Sequence, residues 1–349
     1  MLRTIPPADR ASPLAGTSRE SRIPQLDGVR ALALAAVLAH HALRVPLLWA
    51  GVDLFFVLSG FLITGVLLRE KRTPLAGLQH FYRRRALRIL PPYGMALLIT
   101  QIVIGIAWKT DWPWLTFFAS NIGFALGKMK TSALVPLWSL AVEEQFYLIW
   151  PWLLLWASRR AARNVAFAVL LLSPLLRFLL TPEFHTEFPI YFLTPFRMDL
   201  LAAGATLALA SEIERKRWHF RAPMAIALGM GVLGTLALLG YRTGGNSRVF
   251  NTFGYEGILL VCVGFLAWTL TLEDGFALRC LAARPLRYLG RISYFAYLIH
   301  LPLLMAIRNP WLAMAAIISL SAVSWELVEK RVLAWGRSSE QERIREPES

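Results

Sequence analysis

Arg30 and His41 stand in Leu26-Asp27-Gly28-Val29-Arg30 through His40-His41, an otherwise apolar run of the kind that forms a membrane helix. Eleven helical steps at ~100° each return to within about 20° of the starting face, roughly 16 Å further along the axis. His40 falls roughly 80° off that face, so of the two histidines only His41 lines up with Arg30. An imidazole serves as base or nucleophile near neutral pH, and a guanidinium binds anions. The pair therefore reads as two ends of a polar stripe lining a cavity. The plainer alternative is an arginine anchoring the inner end of a span whose outer end the histidines cap.

Three further constellations carry chemistry. In Gly51-Val52-Asp53-Leu54-Phe55-Phe56, Asp53 falls near the level of His41 if the second span runs back through the membrane. A carboxylate there holds an imidazole tautomer and raises its basicity; equally, it caps its own helix. In Phe81-Tyr82-Arg83-Arg84-Arg85-Ala86-Leu87-Arg88, Arg85 and Arg88 share a helix face at i, i+3. Arginine forks suit phosphate, and the alternative is anchoring at an anionic lipid surface. In Pro136-Leu137-Trp138-Ser139-Leu140-Ala141-Val142-Glu143-Glu144, two adjacent carboxylates enter an apolar helix. They point ~100° apart and cannot do the same work. One is expected to pair with an arginine and the other to line a cavity, either being suited to proton transfer.

The elements that must position these groups are membrane helices. Of 349 residues, 56% are apolar and 17% charged, with 13 Trp and 20 Phe, which excludes an ordinary water-soluble domain. Apolar runs predict an all-α polytopic bundle of about ten transmembrane helices over 26–43, 50–69, 87–107, 136–157, 163–180, 189–210, 222–241, 254–271, 289–307 and 310–335. The segment 108–135 is read as an outer loop with an interfacial or re-entrant piece, the alternative being an extra helix that would upset the parity. The net charge of +15 sits in short blocks between apolar runs, a topology signal rather than a nucleic-acid footprint. With both termini cytoplasmic, the inner segments collect 27 of the 37 Lys and Arg and the outer loops seven. Three organisational units are expected: a disordered cytoplasmic tail over 1–25 without a signal-peptide cleavage site, a transmembrane domain over 26–335, and a charged cytoplasmic tail over 336–349. Cys262 and Cys280 lack ligand-like spacing, so neither a disulfide framework nor a metal site is expected.

Five stretches, LDGVRALALAAVLAHH, GVDLFFVLSGFLIT, FYRRRALRILPPY, PLWSLAVEEQFYLIWP and LGRISYFAYLIHLPLL, resemble in order and separation the acyltransferase-3 family of integral membrane acyltransferases. The resemblance covers nearly the whole apolar chain. It implies transfer of an acyl group, usually acetyl, from cytoplasmic acyl-CoA to a hydroxyl of a carbohydrate or related acceptor. The family's R-x10-H motif falls on Arg30 and His41, its Arg-x-x-Arg motif on Arg85 and Arg88, and its glutamate-bearing motif on Glu143 and Glu144. Phe196-Arg197-Met198-Asp199 matches more loosely; Arg197 and Asp199 lie two apart and share no face. Glu329-Lys330-Arg331 departs from the family's closing Glu-Lys-Pro, with Arg331 in the proline's place. A fused esterase-like domain of some members is not expected beyond 338.

The expected mechanism places Arg85 and Arg88 on the phosphates of acetyl-CoA, Arg30 deeper along its arm, and His41 as general base or transient acyl carrier. Asp53, Glu143 or Glu144 assists His41. No metal cofactor is expected; the partners are acyl-CoA, a glycosylated acceptor and membrane lipids, in a bacterial inner membrane. Ser293, Tyr297 and His300 fall on one stripe, read as packing polars or as acceptor-site lining. The competing class is a transporter or flippase of an anionic substrate, which intramembrane Arg, His and Glu also suit. No internal repeat supports it, and the arginines crowd one inner mouth rather than flanking a midplane site.

Overall fold

A computed structural model describes residues 23–241 and 243–345. The expected amino-terminal tail lies almost wholly outside the described residues, as do residues 346–349 at the other end. Among the described residues the regular structure is helical and no strand forms. In chain order run α1 (Pro24–Leu43), α2 (Gly51–Leu67), α3 (Pro74–Val103), α4 (Trp108–Thr116), α5 (Ser120–Ala125), α6 (Leu137–Trp156), α7 (Arg159–Leu180) and α8 (Phe188–Phe192). There follow α9 (Met198–Leu209), α10 (Glu212–Lys216), α11 (Trp218–Leu238), α12 (Tyr255–Thr271), α13 (Gly275–Leu281), α14 (Arg284–Ala306), α15 (Pro310–Ser324) and α16 (Lys330–Arg345).

Eight helical stretches among the described residues are long and apolar enough to cross a membrane. The other two expected spans fall on α6, whose apolar run Glu143 and Glu144 interrupt, and on the short apolar α9. Leu171 and Leu238 lie 75% and 90% exposed on the outside while Arg177 and Arg197 are fully buried. That distribution is stable only with lipid against the outer surface. The chain is a polytopic helical membrane protein.

Several boundaries differ from the sequence reading. The third span does not begin at residue 87: α3 starts at Pro74, so Arg85 and Arg88 lie in the middle turns of a continuous 30-residue helix. The run 189–210 is not one helix. Pro195 removes a backbone donor and the chain turns extended at Leu193, so it passes through α8 and a 3₁₀ turn (Thr194–Phe196) before α9 starts. Segment 108–135 forms α4 and α5, nine and six residues long and too short to span. A π-helical turn, Trp325–Glu329, joins α15 to α16, which continues to Arg345.

Close backbone packing positions the helices that carry the site. A β-carbon on Gly60 would stand 1.9 Å from the Leu201 carbonyl oxygen, and one on Gly204 the same distance from that of Val57. Only glycine lets α2 and α9 approach so closely. In the same way Gly290 sets α14 against α1, where a β-carbon would meet the Asp27 carbonyl oxygen at 1.8 Å.

Candidate active site

Helices α1, α2 and α14, with α3 and α6, line a cavity of about 80 Å³. Arg30 enters it from α1, Ser59 from α2, Arg85 and Arg88 from α3, Ser139, Glu143 and Tyr147 from α6, and Ser293, Tyr294 and Tyr297 from α14. Arg30, Arg85 and Arg88, expected to share a ligand, are thus brought together. Among the described residues none of the three has a carboxylate within ion-pairing distance. Arg85 stacks its guanidinium over the Tyr147 ring at 4.5 Å, a contact that favours the cation without neutralising it.

The two glutamates separate as their ~100° offset requires. Glu143 faces the cavity and accepts a hydrogen bond from the Tyr147 hydroxyl at 3.1 Å, and that hydroxyl also meets Ser59 Oγ. Glu144 is not among the residues that line the cavity, and its buried Oε1 has no hydrogen-bond partner. The expected arginine partner of one glutamate does not form: a tyrosine takes its place. Ser139, Glu143 and Tyr147 recur every four residues along α6, an i, i+4, i+8 face that was readable in the sequence although only Glu143 was singled out.

From the cavity a polar path leads to His41. Ser139 Oγ and Tyr297 Oη lie 2.7 Å apart, and Tyr297 Oη also donates to the Pro136 carbonyl at 3.1 Å. One turn on, the fully buried His300 bonds through Nδ1 to the Tyr297 carbonyl at 2.5 Å. The His300 ring stands 4.9 Å from that of His41, and His40 is 4.8 Å from His41 on the other side. His41 lies outside the cavity lining, with Nδ1 3.1 Å from the Val37 carbonyl oxygen. The stripe Ser293, Tyr297 and His300 therefore divides: Ser293 satisfies itself on the Gly290 carbonyl, whereas His300 Nε2 is buried with no partner.

Asp53 is placed elsewhere. It is fully buried and forms an ion pair with Arg197 Nη2. Arg197, delivered by the break before α9, lies among the rings of Trp49, Trp138, Tyr191 and Tyr255, the last at 4.6 Å. Beside it Arg177 of α7 bridges Asp199 at 2.6 Å and Glu256 of α12 at 2.5 Å. Arg177, Arg197 and Asp199 stand in or beside apolar runs of the sequence, but no local spacing encodes this cross-helix pairing.

A family model described as an acyltransferase domain, acyltransferase-3, matches residues 23–323. The chain belongs to the acyltransferase-3 family. Among its relatives, the peptidoglycan O-acetyltransferase OatA of Listeria monocytogenes is 29% identical over 328 residues, covering 82% of this chain and 50% of the relative. The putative peptidoglycan O-acetyltransferase YrhL of Bacillus subtilis is 30% identical over 372 positions, 94% of this chain and 57% of the relative. The O-acetyltransferase OatA of Staphylococcus aureus is 28% identical over 311 residues, 82% of this chain and 51% of the relative. The chain spans about half the length of the curated relatives it matches. No solved structure matches it. Within this acyltransferase-3 chain, the motif residues Arg30, Arg85, Arg88 and Glu143 share one cavity, and His41 stands one imidazole away from its Tyr297 wall.

Proposed function

We propose that this protein is a membrane O-acyltransferase that moves an acyl group, acetyl by preference, from acyl-CoA to a sugar hydroxyl of a peptidoglycan-type glycan. The observation that supports this reading is the set of three guanidinium groups lining one cavity, where the one lining carboxylate, Glu143, makes no ion pair with them. Three cations against one carboxylate inside an apolar bundle favour an anionic ligand. Phosphate groups suit the arginine fork. The printed names of the bacterial relatives support acetyl as the group and a peptidoglycan hydroxyl as the acceptor. In this reading the cavity arginines hold the donor's phosphates and its acyl arm extends past Tyr297 toward His41.

In this reading both termini are cytoplasmic and the donor enters from the Arg85–Arg88 side. His41 Nδ1 faces a carbonyl, which only accepts, so Nδ1 carries the proton and Nε2 presents a lone pair. That lone pair removes the proton from the acceptor hydroxyl. The hydroxyl oxygen forms the C–O bond to the acyl carbon, the C–S bond breaks, and the CoA thiolate leaves with the proton returned from His41. Glu143, held by Tyr147, faces the donor within the cavity. The test is to incubate the purified chain in nanodiscs with radiolabelled acetyl-CoA and soluble peptidoglycan oligosaccharides. Labelled oligosaccharide and free CoA are expected, and at least a 10³-fold loss in His41→Ala. Wild-type turnover that survives His41→Ala, or, with the chain in sealed proteoliposomes, label that crosses the membrane unreacted, removes the reading.

A further inference from the structure

His300 is the fully buried imidazole that the transfer reaction above leaves unused. Its Nδ1 lies 2.5 Å from the Tyr297 carbonyl oxygen, so the ring is fixed with Nδ1 protonated and Nε2 bare. Nε2 is fully enclosed and finds no donor. A buried acceptor without a donor costs about 1–3 kcal/mol, and such orphans call for a reason. The His300 ring packs against that of His41, with centroids 4.9 Å apart and planes tilted by 58°. The titratable groups facing the pair are His40 and His41 from α1 and Tyr297 from the helix of His300 itself. Among the described residues no carboxylate touches either ring.

We infer that His300 is a positioning residue for His41, presenting a lone pair that stabilises the His41 imidazolium formed during acyl transfer. The deduction follows from the two tautomers. While both imidazoles are neutral, both Nε2 atoms are acceptors and have nothing to give each other. When His41 takes the acceptor's proton it becomes a cation beside a low-dielectric, unpartnered lone pair, and the contact turns attractive. An interaction that exists only in the charged state accelerates the chemical step rather than tightening substrate binding. The Nδ1 place that a carboxylate holds in a hydrolase triad is taken here by the Val37 carbonyl, and His300 acts on the cation as a neutral neighbouring ring. A neutral partner suits this depth, because a carboxylate buried there would itself need a cation. Proton transfer remains as written above: His41 returns the proton to the leaving thiolate, and His300 binds or releases none.

This inference rests on the acyl-transfer reading, and the experiment separates the two. Wild type, His41→Ala, His300→Phe and His300→Gln are prepared as full chains in nanodiscs, and CoA release from acetyl-CoA is followed with peptidoglycan oligosaccharide as acceptor. His300→Phe keeps a ring in a fully buried slot but has no lone pair; His300→Gln keeps an acceptor oxygen. The expected result is a kcat about 10²-fold lower in His300→Phe with acetyl-CoA KM unchanged, and within about tenfold of wild type in His300→Gln. All variants should keep the wild-type melting temperature. A structural role predicts the reverse order, since phenylalanine packs better than glutamine in an apolar slot. Wild-type kcat in His300→Phe, or equal losses in both variants, overturns the inference. Absence of CoA release in the wild type overturns the acyl-transfer reading instead.

Discussion

Arg177 and Arg197 are buried as deeply as any side chain in the molecule, and each meets a carboxylate: Asp199 and Glu256 for the first, Asp53 for the second. Arg30, Arg85 and Arg88 line a cavity and make no ion pair with a carboxylate among the described residues. The same side chain thus serves two ends. The paired set ties α2, α7, α9 and α12 to one another, with its charge cancelled inside the protein. In the other set no ion pair cancels the charge, and the anionic donor proposed above would supply the missing partner. The difference reads as architecture in one region and, under the proposed function, as ligand binding in the other.

The largest effect comes from breaking the paired region. Asp53→Ala should strand the Arg197 guanidinium among Trp49, Trp138, Tyr191 and Tyr255, costing about 3–5 kcal/mol. Thermal unfolding in detergent should show a large drop in melting temperature or no folded protein. Replacing both partners, Asp53→Leu with Arg197→Met, should recover most of that loss, because two apolar groups leave no charge uncompensated. If the double variant is as unstable as the single, Asp53 acts on something other than Arg197.

The open region should respond in the opposite way. Arg85→Gln and Arg88→Gln each remove a cation that makes no ion pair, so melting temperature should stay near wild type. Each lost charge-assisted contact to phosphate is worth about 1.5–3 kcal/mol, a rise of about 10- to 100-fold in acetyl-CoA KM. An unchanged KM with a lowered melting point would exchange the roles of the two regions. Smaller still is Tyr147→Phe. It removes the hydroxyl that bridges Glu143 and Ser59 but keeps the ring beneath Arg85. A fall of about tenfold in kcat is expected, corresponding to about 1.4 kcal/mol, with KM for the donor unmoved.

The two regions were not equally legible in the sequence. Arg30, Arg85, Arg88 and Glu143 announced themselves because charge in an apolar run is costly and because helical periodicity assigns faces. Positions along a helix are a local property, and the structure places all four on one cavity. The Asp53–Arg197 pair spans 144 residues of sequence, and its geometry depends on glycines that let α2 and α9 touch and on Pro195 breaking the run before α9. None of that is periodic. His300 fell between these cases: its stripe with Ser293 and Tyr297 was readable, whereas the ring of His41 beside it depends on how α1 packs on α14.

Asp111 shows a third way to keep a buried charge, with neither a cation nor a cavity, and it yields the smallest and most local test. It lies fully buried in α4 and accepts hydrogen bonds of 2.9 Å from the backbone amides of Lys130 and Thr131 and from the Thr110 hydroxyl. These bonds clasp the two ends of the 108–131 segment together. Burial alone would push this carboxyl up, but the bonds from Thr131, Lys130 and Thr110 outweigh it and hold it below the usual carboxylate range. A folded pKa below the unfolded one contributes stability that is complete above about pH 4 and is lost as pH falls through that value toward the folded one. Amide hydrogen exchange at Lys130 and Thr131 reads the clasp directly. Wild-type protection relative to Asp111→Asn should be constant from pH 7 to 5 and decline below pH 4, since the variant shares the intrinsic exchange rates but never carries the charge. A ratio that stays flat down to pH 3 would mean that shape, not charge, closes the loop. The hydrogen bonds would then be incidental to the rule that separates the two arginine sets, under which a buried ion in this fold is held by whatever cancels it.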